Sequence, residues 1–182
     1  RMGAELPKQF LPVGGRPVLM RTIERFREYS ADLNIILVLP HSQQEFWRSL
    51  CREHAFNIEH TVVDGGATRF LSSKNGLAAV PDDAQGVVGI HDGVRPFVSV
   101  EVIDRCFETA RRYGAALPVM PVTDTLRYVG DAGAGHNVQR SDYRSVQTPQ
   151  TFSIPLIKKA FDVPDNDSFT DDASVAEAAG MA

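Results

Sequence analysis

Along this chain short runs of consecutive apolar residues alternate with stretches whose apolar positions recur every three or four residues, the mark of strands alternating with helices. Asn34-Ile-Ile-Leu-Val-Leu39, closed by Pro40, is a near-continuous branched and leucine run and reads as a strand covered on both faces. Ile58 to Val63, Val87 to Ile90 and Ala115 to Val122 read as strands in the same way. Between them lie helical patterns. Pro17 opens one over Val18 to Phe26, Ser42 to His54 carries Phe46, Leu50 and Cys51 on its apolar side, and Ser99 to Tyr113 carries Val102, Ile103, Cys106 and Phe107. Trp47 reads as a packing residue and His54 as a surface one. The alternation predicts an α/β fold with a doubly wound, mainly parallel sheet rather than a sandwich or a bundle.

From Leu126 to Gln147 the rhythm breaks. Leu126-Arg-Tyr-Val129 and Val138-Gln-Arg140 flank a glycine-rich centre, Gly130 to Gly135, which predicts a hairpin arm over about residues 124–148. Such an arm meets a second subunit or stays a simple surface hairpin, and the pattern alone leaves both open. Helical patterns return at Ile154 to Phe161 and Asp171 to Ala179, the latter with a Thr170 hydroxyl expected as its cap.

At 182 residues the chain is long enough for one substantial core and reads as a single domain. Its 23 acidic against 19 basic residues give a formal net charge of -4, which argues against nucleic acid as the main partner. No apolar run approaches the roughly 20 residues needed to span a bilayer. Cys51 and Cys106 lack any CxxC spacing and are expected to be inert thiols in a reducing compartment, with cytoplasm as the expected location. The chain begins Arg1-Met2-Gly3 with no strand before it and stops at Gly180-Met181-Ala182 where another strand is expected, so a first element and a last strand are expected to be missing.

Candidate chemistry gathers where strands end. The run Val87 to Ile90 stops abruptly at His91-Asp92-Gly93-Val94-Arg95-Pro96, and ligands of α/β sheets bind at such carboxyl ends. Asp92 is a hard oxygen donor suited to a divalent cation, and Arg95 a fork suited to phosphate. A turn with Asp92 as a helix cap or ion-pair partner is the alternative. Arg1 and Lys8 place fixed positive charge in a loop rich in glycine and proline, where phosphate or plain solvent meets it. Gly65-Gly66 follows a strand and precedes a helix, so a ligand can approach the backbone there, although neither a dinucleotide fingerprint nor a P-loop is present. Arg140, Arg144 and Thr148-Pro149-Gln150-Thr151 add groups suited to a small polar substrate.

Taken in order, Pro7-Lys8-Gln9-Phe10, Gly65-Gly66-x-x-Arg69-x-x-Ser72, His91-Asp92-x-x-Arg95-Pro96, Asp124-Thr125, Gln147-Thr148-Pro149-Gln150-x-Phe152 and Thr170-Asp171-Asp172-Ala173-Ser174, together with Arg1-Met2-Gly3, resemble the 2-C-methyl-D-erythritol 4-phosphate cytidylyltransferases essentially end to end. The resemblance implies a Rossmann-like nucleotidyltransferase that moves a cytidylyl group from CTP to methylerythritol phosphate, releases pyrophosphate, uses Mg²⁺ and forms a homodimer through the arm. It implies catalytic roles for Arg1 and Lys8, CTP contacts for Gly66, Ser72 and Asp92, a metal-side role for Asp92, and an acceptor pocket made by Arg95, Thr125, Thr148 and, from the partner subunit, Arg140. Ala67 stands where the family often has an acidic residue. A ribitol 5-phosphate cytidylyltransferase shares the Pro-Lys-Gln-Phe and Gln-Thr-Pro-Gln segments and is the nearest rival. A nucleotide-binding module without catalysis is the rival from another class.

Overall fold

The computed structural model describes residues 6–130 and 133–181. Pro7 leads into a single 3-10 turn, Lys8–Phe10, whose Phe10 is buried, and a small antiparallel pair, β1 (Pro12–Val13) and β2 (Arg16–Pro17), follows. The chain then runs through α1 (Val18–Tyr29), β3 (Ile36–Leu39), α2 (His41–Glu53), β4 (Thr61–Asp64), α3 (Arg69–Ala78), β5 (Val87–Ile90), α4 (Val100–Tyr113) and β6 (Ala115–Ala116). Helix and strand alternate as the hydrophobic pattern requires, and the chain is α/β.

The ladders show where the pattern was too coarse. Among the described residues only β3 and β4 pair in parallel, Ile36 opposite Thr61 through Leu39 opposite Asp64. β5 and β6 run in one direction on either side of β11 (Gln150–Ser153), which returns between them and pairs with both antiparallel. The β5–α4–β6 unit is therefore a crossover split by a later strand, and a mainly parallel ladder is not what forms there. Local periodicity reports which segments are strands, whereas a strand inserted from about 60 residues downstream leaves no local mark.

Ala115 to Val122 is likewise two strands. Pro118 lacks an N–H for the ladder, and the run divides into β6 and β7 (Val119–Pro121). β7 pairs antiparallel with β10 (Arg144–Val146), and between them β8 (Arg127–Val129) pairs with β9 (Gly135–Asn137). The hairpin is present, but its second strand ends before Arg140, which lies instead in a 3-10 turn, Arg140–Asp142. β7, β8 and β10 are exposed along their whole length.

Two larger clusters and a smaller one fill the interior. Phe10, Leu19, Met20, Leu37 and Trp47 pack α1 and α2 against β3, and Phe26, Ile103 and Phe107 join α1 to α4. Trp47 is fully buried and donates its indole N–H to His60, whereas Phe46, expected on the apolar side of α2, is 41% exposed. The rotation is about one residue's worth of helix, and it brings Gln44 rather than Phe46 inward. The third cluster joins Phe70, Phe152 and Phe161 to α5 (Ile154–Ala160) and α6 (Asp172–Ala178). α6 is capped by Asp171, not Thr170: its carboxylate accepts from the Ser174 N–H at 2.8 Å, and the Ser174 side chain answers at the Asp171 backbone. α4 ends on Gly114 at φ +92°, a left-handed position that suits glycine.

Candidate active site

β5 and β11 determine which distant residues meet. Their register sets Ile90 opposite Gln150, and continuing it two residues brings Asp92 opposite Thr148. The Asp92 N–H points to Thr148 Oγ1 at 3.4 Å, and that hydroxyl lies 2.9 Å from His91 Nδ1. His91 Nε2 in turn donates to the Arg95 carbonyl at 3.0 Å, and its ring packs edge-on against Phe26. Burial is the main influence on His91 and holds its pKa below the usual 6.5, against the upward pull of its hydrogen bonds and of Asp92. A neutral ring follows.

The Asp92 carboxylate is bound at both oxygens. Arg69 Nη1 lies 2.8 Å from Oδ1 and Arg95 Nε 2.8 Å from Oδ2. Burial works to raise its pKa, but the two guanidinium groups outweigh burial and keep the carboxyl below the ordinary carboxylate value. Arg95 also reaches Gln147 Oε1 at 2.9 Å, and Arg69 reaches back to Asp172 Oδ2 at 2.5 Å. Asp172 is 1% exposed, and its other oxygen accepts from Ser73 at 2.5 Å. Gln150, itself buried, ties β11 to the same helix start by donating to Asp171 and accepting from the Ala173 N–H.

Beside this cluster the loop after β4 turns tightly into α3. Thr68 caps the helix, the Gly66 N–H donates to Ser72 Oγ at 3.0 Å, and Ser72 Oγ donates to the Thr68 carbonyl at 2.9 Å. A Cβ on Gly66 would stand 2.3 Å from Leu71 Cβ, so this packing admits only glycine.

A family model described as 2-C-methyl-D-erythritol 4-phosphate cytidylyltransferase matches residues 1–182. The chain belongs to that family. It is 59% identical to the 2-C-methyl-D-erythritol 4-phosphate cytidylyltransferase of Bacteroides thetaiotaomicron over 100% of this chain and 81% of that protein. Against the cytidylyltransferase of that name from Bacillus velezensis the identity is 38%, with 97% and 76% covered. Among solved structures, the 2-C-methyl-D-erythritol 4-phosphate cytidylyltransferase of Thermus thermophilus superposes with a TM-score of 0.76 at 34% identity, covering 97% of this chain and 81% of that one.

Of the cytidylyltransferase residues picked out in the sequence, Asp92, Arg95 and Thr148 meet at the carboxyl end of β5, and Gly66 and Ser72 meet at the start of α3. Lys8 sits exposed on the 3-10 turn, and Thr125 is exposed between β7 and β8. Arg140 donates to the Thr123 carbonyl and lines an open groove of about 420 Å³ with Pro121, Thr123 and Arg144, a groove whose lining includes neither Asp92 nor Thr148. Arg1 lies outside the described residues. Arg69, His91, Gln150 and Asp172 were missed as site residues. Each stood inside a quoted motif, but the Arg69 to Asp172 contact spans 103 positions, and nothing local announces it.

Among the described residues no three His, Cys, Asp or Glu side chains gather to hold a metal ion. Asp92 offers a single carboxylate. That fits Mg²⁺, which keeps several waters and takes one or two protein carboxylates together with substrate phosphates, provided one arginine gives way.

Proposed function

We infer that this chain performs the reaction for which its family is named, transfer of a cytidylyl group from CTP to the phosphate of 2-C-methyl-D-erythritol 4-phosphate in isoprenoid biosynthesis. An oxygen of the acceptor phosphate attacks the α-phosphorus of CTP, the bond from that phosphorus to the bridging oxygen breaks, and pyrophosphate leaves. The nucleophile is already an anion, so no side chain has to remove a proton. The difficulty is bringing anions together, and positioning with positive charge answers it.

The observation that carries the reading is the convergence of Asp92, Arg95, Arg69 and Thr148 at one strand end in a chain of this family. Lys8, with Arg1, serves the crowded phosphorus. Gly66 and Ser72 serve the cytosine, where backbone groups tell an exocyclic amine from a carbonyl. Asp92 holds Mg²⁺, which when bound neutralises phosphate charge. Arg95, Thr125 and Thr148 receive the acceptor, together with Arg140 of a second subunit. The arm over about residues 124–148 meets the second subunit, and its strands β8 and β10, exposed along their length, leave a face for that subunit to cover. The reading takes β3–β4 and β5–β11–β6 as parts of one doubly wound sheet, with the chemistry at its carboxyl edge.

Pyrophosphate release with CTP and Mg²⁺ tests it, comparing methylerythritol phosphate with ribitol 5-phosphate. Release with the first alone is expected. Release only with the second, or CTP binding with release from neither, overturns it.

A further inference from the structure

Asp92 has two arginine partners, and they are held differently. Arg69 is anchored from behind by Asp172, which is 1% exposed and fixed in turn by Ser73. Among the described residues Arg95 has no carboxylate behind it. Its other side-chain hydrogen bond goes to the neutral oxygen of Gln147, and its side chain is 48% exposed. As the groups stand, two carboxylates face two guanidinium groups and the cluster is formally neutral. If Arg95 departs, two carboxylates face one guanidinium, and Asp92 Oδ2 is left uncovered in a site with one negative charge in excess.

We propose that the two arginines divide the work at Asp92: Arg69, bound to buried Asp172, is a positioning residue that stays and fixes the carboxylate, while Arg95 leaves Asp92 for the acceptor phosphate and so opens one carboxylate oxygen to a divalent cation. The inference rests on the placing of Mg²⁺ at Asp92 proposed above. Asp172 has an electrostatic part in it. Without Asp172, once Arg95 has left, one carboxylate would face one guanidinium, and the excess negative charge that favours the cation would be gone. Because Arg95 has the same preference for an oxyanion in either position, acceptor and cation strengthen each other's binding by one shared factor.

Mn²⁺ is the probe, and free Mn²⁺ is counted by electron paramagnetic resonance in the full chain with α,β-methylene-CTP, with and without methylerythritol phosphate. Adding acceptor should tighten Mn²⁺ binding in the unaltered protein, and Arg95→Met should abolish that effect. Asp172→Asn should weaken Mn²⁺ about tenfold, the scale of one neighbouring charge, and raised Mg²⁺ should restore turnover. Arg69→Lys keeps the charge but cannot span two carboxylates, so it should leave Mn²⁺ affinity in place and lower turnover at saturating metal. Asp172→Asn that lowers turnover with unchanged Mn²⁺ affinity and no rescue by Mg²⁺ overturns the proposal, since a purely structural pair would do that. Asp92→Asn binding Mn²⁺ as tightly as the unaltered protein removes the metal assignment and this inference with it. Loss in Asp92→Asn beside no change in Asp172→Asn removes this inference alone.

Discussion

The Thr148 hydroxyl lies 2.9 Å from His91 Nδ1, and the far side of that ring is committed to a backbone carbonyl. A carbonyl only accepts, so Nε2 carries the ring proton, Nδ1 is a bare lone pair, and the hydroxyl proton of Thr148 is spent on it. Toward a ligand Thr148 therefore presents the one lone pair that the Asp92 N–H leaves free, and accepts. A hydroxyl of the polyol, not an unprotonated phosphate oxygen, is the complementary group. Thr148→Val should raise the KM for the acceptor about tenfold with a smaller effect on kcat, the cost of a buried hydroxyl partner left unpaired, while Thr148→Ser keeps both near their starting values. A Val variant with unaltered acceptor KM would remove Thr148 from the pocket.

The same ring makes stability depend on pH. Burial lowers the folded-state pKa of His91 below 6.5, so between the two values the unfolded chain binds more protons than the folded one. His91's contribution is complete above the unfolded value and is lost as pH falls below it, at no more than about 1.4 kcal/mol per pH unit. The urea midpoint should fall between about pH 7 and about pH 5. His91→Gln supplies a donor and an acceptor but takes no proton, and its midpoint should fall less. Equal slopes in the two proteins would mean that another group titrates in this range.

How far the sequence could be read depends on how far apart the meeting residues lie. Val87 to Ile90, the helix Val100–Tyr113 and the turn into α3 are stated by periodicity and by glycine, serine and threonine at their ends, and they form where expected. Asp92 beside Arg95 is equally local, three residues apart. By contrast, the insertion of β11 beside β5, and the reach of Arg69 to Asp172, are decided by pairing across 60 to 103 positions. The Thr170 hydroxyl was the simpler cap to expect, but Asp171 offers a carboxylate at the right offset from Ser174 and forms the reciprocal pair. Thr148 was legible as a polar group suited to a substrate, and the family resemblance gave it the acceptor pocket, but its place beside Asp92 follows from the β5–β11 register.

Gly66 is predicted to be intolerant of even one methyl group. An added Cβ would lie 2.3 Å from Leu71 Cβ and 2.8 Å from the Leu71 carbonyl carbon, and the second of these is backbone that cannot swing aside. Gly66→Ala should cost about 1–3 kcal/mol of stability in a urea titration, as overpacking does, and should weaken CTP binding by moving the Gly66 N–H away from Ser72. Unchanged stability and unchanged CTP affinity together would show that the loop relaxes freely and has no part in the nucleotide site.

Arg140 gives the sharpest test of a shared active site. In this chain it bonds to Thr123 and lines a groove beside β7 to which neither Asp92 nor Thr148 contributes. Lys8→Ala should lower kcat far more than CTP affinity, because its charge is wanted most where negative charge crowds in the transition state. Arg140→Ala should act mainly on acceptor KM. If Arg140 works from the partner, a heterodimer of the two variants contains one site with both residues intact and one with neither. Assayed at an acceptor concentration far below the KM of the Arg140→Ala variant, where neither variant alone turns over appreciably, equal amounts, dissociated and reassociated at random, should then recover about one quarter of the unaltered activity, since half the dimers are mixed and each has one good site. If Arg140 instead served its own chain, every site in the mixture would lack one residue or the other. Activity after mixing would stay at the average of the two variants, and both the shared site and the role given to the arm would fall.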